Sequence, residues 1–212
     1  NYTNNNFSNI IVPDNASSTI IGFNNTDGGT GSTKTITGNT FNNWHGGTSG
    51  TTGTSSTINC MNFTYWNGVS SLSNNTITNI TGRGAITGIT MGSTVNNATS
   101  IAVSGNTINN LASIGTGGQV LAISCSNTST TININGNTIN SLSSTGASSA
   151  VGAITVFGAT TTNVFQNVIY DLSTSGTNQD FFDLFYGTTG GQQIDPTAQY
   201  EVSFKLIDTY YN

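Results

Sequence analysis

The sequence predicts an all-β chain folded as a right-handed parallel β-helix, a solenoid with about six rungs of roughly 30 residues. A short motif, written GNTINSL at 136–142, recurs along the chain in steps of 30 to 36 residues. Apolar residues keep fixed places within each copy, and spacings of two residues between them are typical of strands. Glycine, serine, threonine and asparagine fill the other segments, as expected of loops between short strands.

Three apolar columns define the first half of each repeat when the copies are aligned on the asparagine of the motif. Three residues before it stand Tyr2, Ile36, Leu72, Val103, Ile134 and Val164. Two residues after it stand Phe7, Phe41, Ile77, Ile108, Ile139 and Ile169. Five residues after it stand Ile10, Trp44, Ile80, Leu111, Leu142 and Leu172. Stacking of these columns at about 4.8 Å per rung predicts a continuous apolar core.

A second strand block lies in the other half of each repeat and reads IGF, INC, ITM, ISC, ITV and LFY. We align its first column as Ile21, Ile58, Ile89, Ile123, Ile154 and Leu184. We align its second column as Phe23, Cys60, Met91, Cys125, Val156 and Tyr186. Proline occurs only at Pro13 and Pro196, so the strand ladders are not interrupted. Parallel crossovers are strongly biased to the right hand, which predicts the hand of the helix.

The asparagine of the motif is predicted to form a corner. Its column consists of Asn5, Asn39, Asn75, Asn106, Asn137 and Asn167. The apolar residues on either side lie five positions apart, an odd spacing, so the chain must bend between them to bury both. Asparagine tolerates the left-handed conformation, and its stacked side chains can form an amide ladder along the axis. A second polar column predicts the next corner: Asn9, Asn43, Asn79, Asn110, Ser141 and Asp171.

The two cysteines, Cys60 and Cys125, are predicted to be free and buried. In this alignment they share one inward column with the rung of Met91 between them, so two rungs separate them by about 9–10 Å. A disulfide requires Cα atoms within about 7 Å. Both thiols are therefore expected to serve as small apolar side chains.

The composition excludes several classes of function. Only 5% of residues are charged, against roughly 25% in ordinary globular proteins. The basic residues are Lys34, Arg83 and Lys205, too few to neutralise several phosphates, so nucleic acid is not an expected partner. The net charge of −5 disfavours anionic lipid, and no apolar run approaches the roughly 20 residues of a membrane helix. With no metal-binding motif present, neither metal nor cofactor is expected.

Runs such as TTTNVFQNVIYDLSTSG and ININGNTINSLSSTG resemble the rungs of right-handed parallel β-helix repeat proteins. Over about residues 1–190 they are most similar to the large secreted surface proteins of Bacteroidota bacteria, which leave the cell by the type IX secretion system. The resemblance implies a β-helix that is one segment of a longer polypeptide used in surface adhesion or filaments. The chain departs from that pattern because it shows no recognisable C-terminal sorting domain.

Carbohydrate-active β-helices are the enzymatic alternative. Glycoside hydrolysis needs a carboxylate pair, and lyases need a base, often with Ca²⁺ held by carboxylates. Residues 28–170 contain no Asp or Glu, which leaves Asp171, Asp180 and Asp183 as the candidates. A polar terminal rung is the simpler interpretation of these three, and His45 is interpreted as a loop residue. The sequence thus predicts no catalytic site.

A threonine column follows the corner asparagine and is expected to face outward. It consists of Thr40, Thr76, Thr107 and Thr138, with Asn6 and Val168 in the same column. A flat threonine ladder resembles the surface of β-solenoid ice-binding proteins, although the companion column two residues on is mixed. The simpler interpretation is that threonine has high β propensity and pairs well in stacked strands.

We expect residues 1–191 to form the β-helix repeats and 192–212 to form a terminal cap, a partial rung or a junction to a following domain. The chain starts without Met and without a capping helix. We therefore expect a mature product or a fragment that continues upstream or stacks on another copy. Neighbouring segments or copies at the open solenoid ends are the expected partners, together with surface glycans.

These observations favour a structural or adhesive β-helix segment of an extracellular bacterial surface protein or filament, without catalysis. Charge-poor chains rich in threonine and asparagine are typical of secreted proteins, so the expected location is the cell surface. A carbohydrate-binding or carbohydrate-active β-helix is the alternative, and an ice-binding solenoid is a further one. Phage tail fibres share the architecture.

Overall fold

The computed structural model describes residues 1–12, 19–26, 33–47, 56–92, 96–116, 118–126, 131–146, 149–156, 161–174 and 201–203. The first three repeats contain β1 (Tyr2–Thr3), β2 (Asn6–Val12), β3 (Thr19–Asn25), β4 (Thr35–Thr37), β5 (Thr40–Gly46), β6 (Thr57–Phe63), β7 (Trp66–Ser73), β8 (Thr76–Gly82) and β9 (Ile86–Met91). The later part contains β10 (Asn96–Ser104), β11 (Thr107–Ser113), β12 (Gln119–Cys125), β13 (Thr131–Asn135), β14 (Thr138–Ser144), β15 (Ala150–Val156), β16 (Thr161–Phe165), β17 (Val168–Thr174) and β18 (Glu201–Ser203).

Consecutive strands enter three parallel sheets in turn, which is the topology of a parallel β-solenoid. Sheet A contains β1, β4, β7, β10, β13 and β16. Sheet B contains β2, β5, β8, β11, β14, β17 and β18. Sheet C contains β3, β6, β9, β12 and β15. The predicted fold class is confirmed. The described residues form five complete rungs, slightly fewer than the six or so predicted.

The apolar columns predicted for the first half of each repeat are aligned in sheets A and B. In sheet A, Val103 pairs with Leu72 on one side and with Ile134 on the other. In sheet B, the columns of Ile108 and Leu111 keep the same register from β2 to β17. These residues are fully buried in the middle rungs, because in-register stacking keeps each apolar column inside the solenoid.

The alignment predicted for the second strand block is wrong in the second rung. Met61 pairs with Ile89, and Phe63 pairs with Met91. Cys60 therefore does not share a column with Met91 or with Cys125, which pairs with Met91 from the other side. The register in sheet C follows the sequence MNF at 61–63 and not INC at 58–60.

The first rung of sheet C is also offset from the predicted alignment. Phe23 pairs with Met61 and so belongs to the column of Ile89. Ile21 pairs with Asn59 and is 40% exposed. Ile21 was expected to lie in the core, and it instead points outward.

A break in the strand alternation explains these errors. The strands β6, β9 and β12 each bury one pair of consecutive residues, of which the first is small. In β15 every residue from Val151 to Val156 is buried, and Ala153 precedes Ile154 in the position of that pair. The small residues are Cys60, Gly88, Ala122 and Ala153. A Cβ atom on Gly88 would lie 2.7 Å from the backbone oxygen of Ala122, so this column has no space for large side chains. Since both consecutive residues face inward, the two-residue period that aligned the block does not hold across it.

The C-terminal segment is described only at β18, which pairs with β17 and extends sheet B. The predicted boundary at residue 191 lies outside the described residues. Within the ranges that the structure describes, no helix is long and apolar enough to cross a membrane.

Candidate functional site

The asparagine column forms a hydrogen-bonded ladder through the solenoid. Each step brings two donors to the Oδ1 atom of the next asparagine, one from the backbone and one from the side-chain amide. The backbone N–H of Asn75 donates to Asn106 Oδ1 at 3.0 Å, and Asn75 Nδ2 donates to the same atom at 2.9 Å. The same pair of bonds joins every step from Asn5 to Asn167. The predicted amide ladder is confirmed.

The second amide hydrogen of a ladder asparagine binds a backbone carbonyl of the preceding rung. Asn106 Nδ2 donates to the carbonyl of Leu72 at 3.1 Å, and Asn137 Nδ2 donates to that of Val103 at 2.9 Å. Both asparagines are buried. All four hydrogen-bonding positions of such an amide are occupied, so the buried polar column carries no unsatisfied atom.

The backbone bend lies one residue earlier than predicted. The residues before the ladder positions have φ of 54° to 68°, and they are Asn4, Gly38, Asn74, Gly105, Gly136 and Gln166. The ladder asparagine was expected to adopt the left-handed conformation itself. It does not, because the preceding residue makes the bend and leaves the asparagine side chain directed into the ladder.

The second polar column has φ of 53° to 62° at Asn9, Asn43, Asn79, Asn110, Ser141 and Asp171. It lies inside the strands of sheet B, so it bends a strand and does not form the corner between two sheets that we predicted. A left-handed residue within a strand turns two consecutive side chains outward, as in a β-bulge. Each rung of sheet B therefore presents a pair of adjacent side chains to solvent.

We call this surface the amide band. Its pairs are Ser8 and Asn9, Asn42 and Asn43, Thr78 and Asn79, Asn109 and Asn110, Asn140 and Ser141, and Tyr170 and Asp171. Hydrogen bonds connect the pairs along the axis at every step except the one between β11 and β14. Asn43 Nδ2 donates to Asn9 Oδ1 at 2.7 Å, and Asn79 Nδ2 donates to Asn42 Oδ1 at 2.9 Å. An amide has two donors and two lone pairs, so these bonds leave part of each amide available to solvent.

The predicted threonine column lies beside the amide band. Its members pair in register through sheet B and are half-exposed: Thr40, Thr76, Thr107 and Thr138. The column continues to Asn6 in β2 and to Val168 in β17, where Val168 is exposed. Sheet B thus carries a hydroxyl column and an amide band side by side on its outer face.

The predicted carboxylate candidates are described in part. Asp171 is exposed, and its Oδ2 atom accepts a hydrogen bond from the Ser141 hydroxyl at 2.9 Å. Asp180 and Asp183 lie outside the described residues. Among the side chains that the structure describes, no group of three or more His, Cys, Asp and Glu is placed to hold a metal ion.

His45 was predicted to be a loop residue, and the structure instead places it in β5. Its Nε2 atom is 2.9 Å from Asn43 Oδ1 on the outer face of sheet B. This contact accounts for the imidazole as a member of the surface network next to the amide band.

Cys60 and Cys125 are both free and buried. Burial raises the pKa of the Cys60 thiol far above its usual range. The thiol therefore stays protonated and is a poor nucleophile, in agreement with its place in the small-residue column of sheet C.

The first rung has a partly apolar outer edge. Tyr2, Phe7 and Phe23 are half-buried, and the Phe7 ring lies 5.2 Å from the stacked ring of Phe41 and 4.9 Å from Phe23. Within the described part of the chain, the Oδ1 atom of Asn5 accepts no ladder bond. This edge has the chemistry to take a further rung: strand backbone, aromatic side chains and an amide acceptor.

The amide band was absent from the prediction, although the sequence holds a signal for it. Adjacent polar pairs such as NN at 42–43 and 109–110 interrupt the alternation expected of a strand. Comparison of the chain with family models, with curated proteins and with solved structures finds no match. The chain is therefore classified by its architecture alone, which is that of a parallel β-solenoid.

Proposed function

We propose that this chain is a structural and adhesive β-helix segment of an extracellular bacterial surface protein or filament, without catalysis. The observation that carries the proposal is the unbroken asparagine ladder from Asn5 to Asn167, which runs beside in-register strands in every rung. A repeated rung bonded to both neighbours forms a stiff rod, because each rung contacts only the next and all of them share one geometry.

The distribution of acids supports a role without catalysis. Residues 28–170 supply most of the described strands and contain no carboxylate, whereas glycoside hydrolysis needs a pair of them. The carbohydrate-active alternative rests on Asp171, Asp180 and Asp183. Replacing each with Asn would abolish a polysaccharide-cleaving activity if that alternative were correct.

We further propose that the parent protein is one of the large surface proteins of Bacteroidota that use type IX secretion. This assignment is supported by the likeness of the GNTI rungs to those repeats. We further propose that neighbouring segments or copies stack on the open edge of the first rung, where Asn5 Oδ1 and the half-buried Tyr2, Phe7 and Phe23 lie.

Electron microscopy of the native material tests the proposal. We expect the chain to lie within a thin fibre or a larger surface polypeptide. A discrete monomer that cleaves a polysaccharide would contradict both the structural role and the absence of catalysis.

Ice binding is a second candidate, because the four threonines of sheet B stack in register on its outer face. Thermal hysteresis that disappears in Thr107→Tyr would support it. Hysteresis that survives this substitution would exclude that face, and the absence of hysteresis in the wild-type chain would exclude the candidate.

A further inference from the structure

The amide band is a surface that the core and the ladder do not explain. Its side chains face solvent, yet hydrogen bonds join the pairs at four of the five steps between rungs, as in the 2.7 Å bond from Asn110 Nδ2 to Asn79 Oδ1. Bonds between exposed groups add little to stability, because water competes for the same atoms. They do hold the side chains in one arrangement, which reduces the entropy lost when a ligand binds.

The chemistry of the band fits a neutral ligand that both donates and accepts hydrogen bonds. The strands of sheet B from β2 to β17 contain no Lys or Arg, and Asp171 is their one acidic residue. A polyanion would find no cation on these strands, and a polycation would find a single carboxylate. Hydroxyl groups match amides and hydroxyls in both directions.

An exposed aromatic ring lies at one end of the band. Tyr170 is 42% exposed and pairs in register with Asn140. An aromatic ring offers an apolar face and, in tyrosine, a polar tip. The C–H face of a sugar ring can pack on Tyr170 while its hydroxyls reach the neighbouring amides.

The repeat distance of the band also selects a ligand. Successive rungs lie about 4.8 Å apart along the axis. This spacing is close to the length that one pyranose adds to an extended β-1,4-linked chain. A polysaccharide laid along the solenoid axis would therefore meet one pair of band side chains at each sugar, with alternate sugars turning opposite edges toward the band.

We propose that the amide band and Tyr170 bind a neutral, extended β-1,4-linked polysaccharide along the solenoid axis. This inference rests on the proposed adhesive function and names its ligand class. Binding comes from many weak contacts repeated over the rungs, so affinity rises with the length of the polysaccharide.

Depletion of the full chain by insoluble cellulose, chitin and β-1,4-mannan tests the inference. The band variant combines Asn109→Ala, Asn140→Ala and Tyr170→Ala, none of which lies at a positive φ. We expect the wild-type chain to bind at least one of the three polymers with little dependence on NaCl. We expect the band variant to bind it at least about tenfold more weakly, since it loses several polar contacts and the ring.

A matched control variant removes two asparagine side chains and one aromatic ring from sheet A instead: Asn133→Ala, Asn163→Ala and Phe165→Ala. Asn163 Nδ2 donates to Asn133 Oδ1 at 2.8 Å, and Phe165 is a half-exposed ring one strand before Tyr170. We expect this variant to bind within about twofold of wild type, because it leaves sheet B unchanged. Circular dichroism melting checks that both variants fold, and Tyr170→Ala alone serves if the band variant does not.

Equal losses in the two variants would overturn the inference, as would binding that needs low salt or an anionic polymer. Failure of the wild-type chain to bind any of the three polymers would also overturn it. That failure would leave the structural proposal intact if the chain lies within a fibre. Release of reducing sugar from a bound polymer would instead contradict the absence of catalysis while keeping the binding site.

Discussion

At the scale of single residues, the buried asparagines are the side chains on which this solenoid depends most. Asn106→Ala removes the acceptor of two donors from Asn75 and the donors to Asn137 and Leu72. Leaving several of these atoms buried and unsatisfied should lower the free energy of unfolding by about 2–4 kcal/mol. Urea unfolding measures it, with the half-exposed Asn109→Ala as a control expected to change stability by less than about 1 kcal/mol. Equal effects would show that the ladder adds nothing to stability.

The buried thiol of Cys60 gives the chain a dependence on alkaline pH. Burial raises the pKa of this thiol, so the folded state keeps the proton that the unfolded chain loses above about pH 8.5. The stabilisation that this proton provides is complete below that pH and is lost as the pH rises above it. Between pH 7 and pH 10 the wild-type chain should lose about 1–2 kcal/mol more than Cys60→Ala, in which alanine suits a column that already holds Gly88 and Ala122. Identical losses in urea unfolding at the two pH values would contradict the burial of this thiol.

At the scale of single strands, the left-handed residue inside each strand of sheet B decides which side chains face solvent. Asn79 has φ of 57°, where a β-branched side chain is strained. Asn79→Val should destabilise the fold by about 1–2 kcal/mol, whereas Asn79→Gly should restore most of that loss because glycine accepts this φ. Thr78→Val, one residue earlier in the same strand, is the control and should cost little. Thermal unfolding of the three variants separates backbone strain from loss of the amide, and a glycine variant as unstable as the valine variant would exclude strain as the cause.

At the scale of the whole molecule, stability comes from strand pairing, the ladder and the apolar columns, with little from charge. Only 5% of the residues are charged. Screening by salt acts on interactions between charges. We therefore expect the melting temperature to change by less than roughly 3 °C between low salt and 1 M NaCl, since surface ion pairs contribute little even where they are common. A large shift in a calorimetric scan would show that charged groups contribute substantially to stability.

The amino-acid pattern alone predicts the architecture and the register of two sheets. An odd spacing between apolar residues on either side of Asn106 required a bend, and the recurrence of that asparagine predicted the ladder. Both inferences succeed because repeats about thirty residues apart must stack in register to bury their apolar columns. The apolar positions of sheets A and B can therefore be predicted from the residue types alone.

Packing between rungs sets the register of sheet C, the residue that makes each bend and the identity of the outer surface. Cys60 and Met61 both face inward, which no two-residue period predicts. The bend lies at Gly105, before Asn106, because the asparagine side chain is held by partners in neighbouring rungs. The amide band exists because a positive φ at Asn110 turns two adjacent side chains outward, and backbone conformation of this kind is set by packing between rungs.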